Sequence, residues 1–223
     1  MSQPQGLFSY PPQSAVGRVL PKSKVYEHAK PTAAVRALFV RQVEQITWLN
    51  KLAPETINLP AAPGIPEIEI FEIALKTEKL DTAVLKAIDK AIPFPILFHL
   101  RFETRLQPVA AFKRPSDADS NQWVTSDYFS GPWQPAASSY PALPLALDLR
   151  GLYEQLLRRL MPMSPRAGET LRQHVERAAF LRSKQSEIEK LSAKLANEKQ
   201  FNRKVELNAH LRNMRNELTS LAA

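Results

Sequence analysis

Nineteen prolines punctuate this chain, and every one of them lies in the first 165 of its 223 residues. The last 58 residues hold no proline and a single glycine, Gly168. Proline removes a backbone donor and clashes with the preceding helical turn, so its absence over so long a stretch permits continuous helix and little else of comparable regularity. The sequence therefore predicts three parts: a disordered arm at 1–21, an α+β domain at 22–165 and a basic helical tail at 166–223.

Charge sharpens the division. The formal net charge is +8, and residues 166–223 carry twelve Lys or Arg against seven Glu, so a quarter of the chain holds most of the excess. A basic excess favours polyanionic partners through counterion release, and it also serves solubility. The absence of cysteine removes disulfides, thiol nucleophiles and cysteine-ligated metals. No apolar run reaches the ~20 residues of a membrane span, and the polar, proline-rich N-terminus does not read as a secretion signal, so a cytoplasmic protein without membrane contact is expected.

Along the domain, Val35, Phe39, Val43, Ile46 and Leu49 recur at three and four behind Thr32, which predicts an amphipathic helix over 32–52. Residues 67–76 alternate but change phase between Ile70 and Phe71, as a bulged strand or one buried on both faces would. Asp81 caps a short predicted helix that Pro93 stops. Residues 96–102 alternate cleanly and 106–113 repeat the pattern, which suggests an antiparallel hairpin. A polar loop at 115–122, a short strand at 124–130, a proline-rich irregular stretch at 132–144 and a helix capped by Asp148 complete the reading. The class expected is α+β, a small mixed, largely antiparallel sheet with flanking helices, followed by a C-terminal helical hairpin or coiled coil.

In the tail, Leu181, Ile188, Leu191 and Leu195 keep the spacing of a coiled-coil seam, and so do Leu207, Leu211, Met214, Leu218 and Leu221. The two seams are out of phase by two residues. One long helix presenting two seams would absorb the slip, as would a turn near 196–202 that folds the chain back; the hairpin is favoured because its short seams bury each other. Lys190, Lys194, Lys199, Arg203, Lys204, Arg212 and Arg215 are the candidate nucleic-acid contacts. The competing reading of these residues is a solvated helix face balanced by intrahelical pairs with glutamate.

No phosphate-binding glycine loop, nucleophile elbow or metal-ligand spacing of histidines is present, so no catalytic residue, metal site or cofactor is assigned. The remaining enzymatic reading is a metal-dependent nuclease using Glu67, Glu69, Glu72, Lys76 and Lys113. Glu72 and Lys76 stand about 13 Å apart along a strand, which is too far for a shared metal and water. Trp123, Tyr128, Phe129 and Trp133 could stack on bases, although core packing is the commoner use of such a cluster.

Four segments together carry a resemblance: 39–48 (FVRQVEQITW), 51–58 (KLAPETIN), 88–95 (IDKAIPFP) and 198–208 (EKQFNRKVELN). They resemble domain-of-unknown-function family 4391, a bacterial and archaeal group. The resemblance implies no catalytic residues. It does imply company with DNA methyltransferases and helicases in restriction and phage-defence loci. The expected function is a non-enzymatic accessory protein that docks on a helicase or methyltransferase and touches DNA or that partner through the basic tail. The alternative is a structural coiled-coil module that associates with itself or another chain.

Overall fold

The computed structural model describes residues 6–116, 118 and 123–222. The chain divides into two compact units, a sheet unit at Met1–Met161 and a helical unit at Pro162–Ala223.

The sheet unit runs β1 (Ala15–Val19), α1 (Lys22–Ala29), α2 (Ala33–Gln42), β2 (Val43–Leu52), α3 (Pro54–Ile57), β3 (Ile68–Leu75), α4 (Thr82–Ala91), β4 (Ile96–Phe102), β5 (Arg105–Pro115), β6 (Trp123–Ser130), β7 (Gln134–Pro135) and α5 (Leu149–Arg158). Its seven-stranded sheet has the order β1-β2-β3-β4-β5-β6, with β7 also pairing β5. β3 and β4 pair in parallel through the α4 crossover, and every other pairing is antiparallel. A parallel pair requires such a crossover, because a tight turn can join only antiparallel neighbours. The mixed α+β architecture expected from the sequence is the one observed.

Two expectations are corrected. The helix predicted over 32–52 ends at Gln42, where the backbone turns extended and becomes β2. Register shifts between Val43 and Gln45 and between Trp48 and Asn50 break the strand's two-residue alternation, so its apolar positions imitate a three–four helical spacing. The β-branched Val43, Ile46 and Thr47 suit the pleated surface on which they pair with β3. The second correction concerns the N-terminal segment expected to be free. Leu7 and Phe8 are buried, and Ala15–Val19 adds an edge strand to the sheet.

Other local signals match the structure. Asp81 accepts a hydrogen bond from the Ala83 amide and starts α4, and Asp148 accepts one from Gly151 at 2.7 Å and starts α5. β4 and β5 form the hairpin, and Glu103 in its two-residue turn takes a φ of 52°, a conformation for which glycine or asparagine is the usual choice. β3 is buried on both faces at every position but Glu72. The expected loop at 115–122 lies largely outside the described residues.

The main core lies between the sheet and α1, α2 and α4. Phe39, Val43 and Ile46 meet Phe71, Ile73 and Leu75 of β3, Phe98 and Leu100 of β4, and Val84, Leu85 and Ile88 of α4. α5 packs on β5 outside this cluster, with the Tyr153 ring stacked on Phe112. The helical unit consists of α6 (Leu171–Asn197) and α7 (Phe201–Ala222), joined by residues 198–200. The chain thus folds back at the seam slip. The expectation for Leu221 falls outside the described side chains.

Candidate functional site

The helical unit is built from its first turn. Thr170 accepts from the Gln173 amide while Gln173 Oε1 accepts from the Thr170 amide, a reciprocal cap that starts α6. Just before it, Arg177 binds both oxygens of Glu169 at 2.7 and 2.8 Å and donates to the Ser164 carbonyl. The guanidinium holds the Glu169 carboxyl down at about 2. Ile188 and Leu211 are buried where α6 and α7 run side by side, and Lys184 reaches Glu217 across the pair at 3.7 Å. At the turn, the Glu198 carboxylate accepts from the Lys199 and Gln200 amides, which lowers its pKa and fixes the connection between α6 and α7.

All seven basic residues singled out from the sequence are exposed on this pair: Lys190, Lys194 and Lys199 before α7, then Arg203, Lys204, Arg212 and Arg215 along it. Arg203 pairs with Glu198 at 3.5 Å. The other six make no salt bridge among the described residues. Lys190, Lys194 and His210 line a groove of about 340 Å³ between the helices, floored by Leu191 and Met214, with Glu187 at its side. Lys190 and Lys194 fall in the last eight residues of α6 and Arg203 to Arg215 in the first fifteen of α7, so the charges gather within about 22 Å of the turn. Such an array can bind a polyanion backbone, its lysines as point charges and Arg203, Arg212 and Arg215 through guanidinium forks.

The residues of the nuclease reading do not converge. Glu72 pairs with Arg101 at 2.8 Å, and Lys76 donates to the Val40 carbonyl. Lys113, only 1% exposed, donates to Asp89 O at 2.5 Å, to Asp89 Oδ1 and to the Ile92 carbonyl, so it closes the C-terminal end of α4. Tyr128 donates to the other Asp89 oxygen at 2.5 Å, and Tyr153 accepts from the Lys113 amide and donates to Ala111 O. Burial pushes Asp89 up and Lys113 down, and the charge of each opposes the shift of the other. Among the described residues no three acidic or histidine side chains are grouped to hold a metal. The aromatic cluster serves packing: Phe129 is buried, Tyr128 holds Asp89, Trp123 lies 5.8 Å from the Lys113 ammonium and Trp133 lies 5.4 Å from the Arg105 guanidinium.

Glu67 and Glu69 alone come together, with a partner that the sequence reading had placed in a helix. The β2–β3 register sets Lys51 opposite Glu69 and Trp48 opposite Phe71. Trp48 Nε1 donates to Glu69 at 2.5 Å, while Lys51 bridges Glu67 at 2.9 Å and Glu55 at 2.8 Å. Burial, then the neighbouring Glu67, raises the Glu69 carboxyl to about 8 against the opposing pull of Trp48 and Lys51. A signal for this site was available only through pairing, because Lys51 and Glu69 are separated by a loop and become neighbours when the strands align.

No curated protein and no solved structure matches this chain. No described helix is long and apolar enough to cross a membrane. One family model does match, that of a domain of unknown function, DUF4391, and it covers residues 8–218. With nearly its whole length matched, the chain belongs to the DUF4391 family.

Proposed function

We propose that this protein is a non-enzymatic accessory component of a DNA modification, restriction or phage-defence system, docking on a helicase or methyltransferase and contacting DNA through its helical pair. The observation that carries the reading is the set of seven exposed basic side chains on α6, α7 and the turn between them, six of them without a salt bridge among the described residues. A merely solvated face balanced by intrahelical glutamates would leave fewer cations unpaired. The association with methyltransferases and helicases comes from the family resemblance, and an accessory role is favoured over a nuclease because, among the described residues, Glu72, Lys76 and Lys113 are engaged away from Glu67 and Glu69 and no three acidic or histidine side chains are grouped to hold a metal. Binding of this kind follows the phosphate backbone, so it is insensitive to sequence and falls steeply with salt.

A gel-shift series on duplex DNA at low salt tests the reading. The full chain shifts DNA of unrelated sequences alike, and Lys199→Ala/Arg203→Ala/Lys204→Ala weakens the shift; no shift at low salt, or none lost in the variant, sinks it. A second reading, self-association through the helices, draws on the exposure of Phe180, Phe201 and Val205. Light scattering that returns the mass of one chain disposes of it.

A further inference from the structure

At the N-terminal ends of β3 and β4 the sheet unit forms a half-open cleft of about 330 Å³, the lower end of the size range for small-molecule sites. Its walls are Trp48 and Phe71, whose rings stack with centroids 6.2 Å apart, together with Phe94, Ile92, Leu20 and Val19. Two carboxyl groups, Glu67 and Glu69, open into this apolar space. Glu69 is only 3% exposed, yet no lysine or arginine forms a salt bridge with it among the described residues. The nearest cation, Lys51, is committed to Glu67 and Glu55, and Arg18 lines the exposed rim. Lys113 offers the contrast, since its burial is matched by an acid and two carbonyls. A buried carboxyl with no counter-ion is costly to keep ionised, and a cation brought into contact with it relieves that cost. Aromatic faces beside the acid attract cations as well.

We propose that this cleft binds a small organic cation, whose amidinium, guanidinium or ammonium head pairs with Glu69 and Glu67 and whose apolar body lies against Trp48 and Phe71. The head group takes the place of the proton on Glu69. Burial and the neighbouring Glu67 raise that carboxyl to about 8, so the proton is held at neutral pH, and binding expels it and strengthens as pH rises. Glu67, Trp48, Lys51 and Arg18 are the polar and charged groups around Glu69, and of these only Glu67 adds negative charge. The site lies in the sheet unit and stands or falls independently of DNA binding by the helices.

Benzamidine, benzamide and benzoate share one shape and differ in charge, so calorimetric titration of the three into the full chain tests the proposal. Benzamidine binds at least tenfold more tightly than either relative, and its affinity rises about tenfold between pH 7 and pH 9. Glu69→Gln, which imitates the protonated acid, abolishes both the preference and the pH dependence. Val19→Trp, at a rim position that is 57% exposed, blocks the mouth and abolishes binding without touching the buried acid. No heat from benzamidine at millimolar concentration, equal binding of benzamide or benzoate, or undiminished binding by a folded Glu69→Gln variant overturns the proposal. If Glu69→Gln loses its cooperative melt, Val19→Trp decides, and undiminished binding by that variant overturns the proposal equally.

Discussion

In the sheet unit Lys113 is buried and spends every proton of its ammonium group on Asp89 and the carbonyl end of α4, while in the helical unit Lys190, Lys194, Lys199 and Lys204 face solvent without a salt bridge among the described residues. The same side chain therefore does two kinds of work within one chain. Where burial has stripped water from a charge, the fold supplies partners, and removing one of them strands the others. Where water remains, a charge contributes little to stability and is free to meet an outside partner. The difference makes Lys113 with Asp89, and Arg177 with Glu169, structural pairs, and it leaves the exposed cations of the helical unit as the groups on which the proposed DNA contact rests; Glu69 is buried and has no counter-ion among the described residues.

The sharpest break of this contrast is Lys113→Met, which leaves Asp89 buried with Tyr128 alone and uncaps α4; chemical denaturation should report a loss of about 3–5 kcal/mol. A loss below about 1 kcal/mol would mean that the buried pair is no more structural than a surface one. Within the helical unit the burial rule holds too, so Leu211→Ala, at 5% exposure, costs about 2–5 kcal/mol if the pair is as well packed as a core, with the lower end expected of a two-helix seam. Thr170→Ala removes one half of the reciprocal cap of α6 and costs about 1 kcal/mol. The smallest change is expected for Lys199→Ala/Arg203→Ala/Lys204→Ala, within about 0.5 kcal/mol per position.

The exceptional acid has its own signature in pH. Because the Glu69 carboxyl is raised to about 8 in the fold, the folded state holds a proton that the unfolded chain gives up near the ordinary glutamate value. Its contribution is therefore fully present below that ordinary value and is lost as pH climbs to about 8. His99 works in the opposite sense. Burial drives its imidazole down to about 4, beside the Tyr10 hydroxyl at 3.0 Å, so its contribution is present above the unfolded value near 6.5 and is lost as pH falls towards 4. Melting of Glu69→Gln across pH 5 to 9 should remove the decline between pH 5 and about 8 and leave the loss towards acid; an unchanged decline would show that Glu69 ionises freely in the fold.

Legibility from sequence followed the range of the interactions. Asp81 and Asp148 could be read as caps because an N-cap is decided within three residues, and the fold-back at 198–200 could be read because two heptad seams keep their own count. The helix wrongly extended to Leu52 failed because bulges in β2 shift its parity, and bulges depend on the partner strand. The exposed cations were legible since hydration keeps lone charges at the surface. Glu69 with Trp48, and Lys113 with Asp89, were not: each is joined across more than twenty residues by pairing or packing that no local pattern encodes.

The central claim, that the unpaired cations of the helical unit meet DNA phosphates, is tested most directly by fluorescence anisotropy of a labelled duplex titrated with the full chain at a series of salt concentrations. The account predicts that log affinity falls linearly with log salt. It also predicts that Lys199→Ala/Arg203→Ala/Lys204→Ala lowers the steepness by about 2 to 3, close to 0.9 for each phosphate contact removed. A slope identical in the variant and the parent chain, or no binding at 50 mM salt, would contradict it.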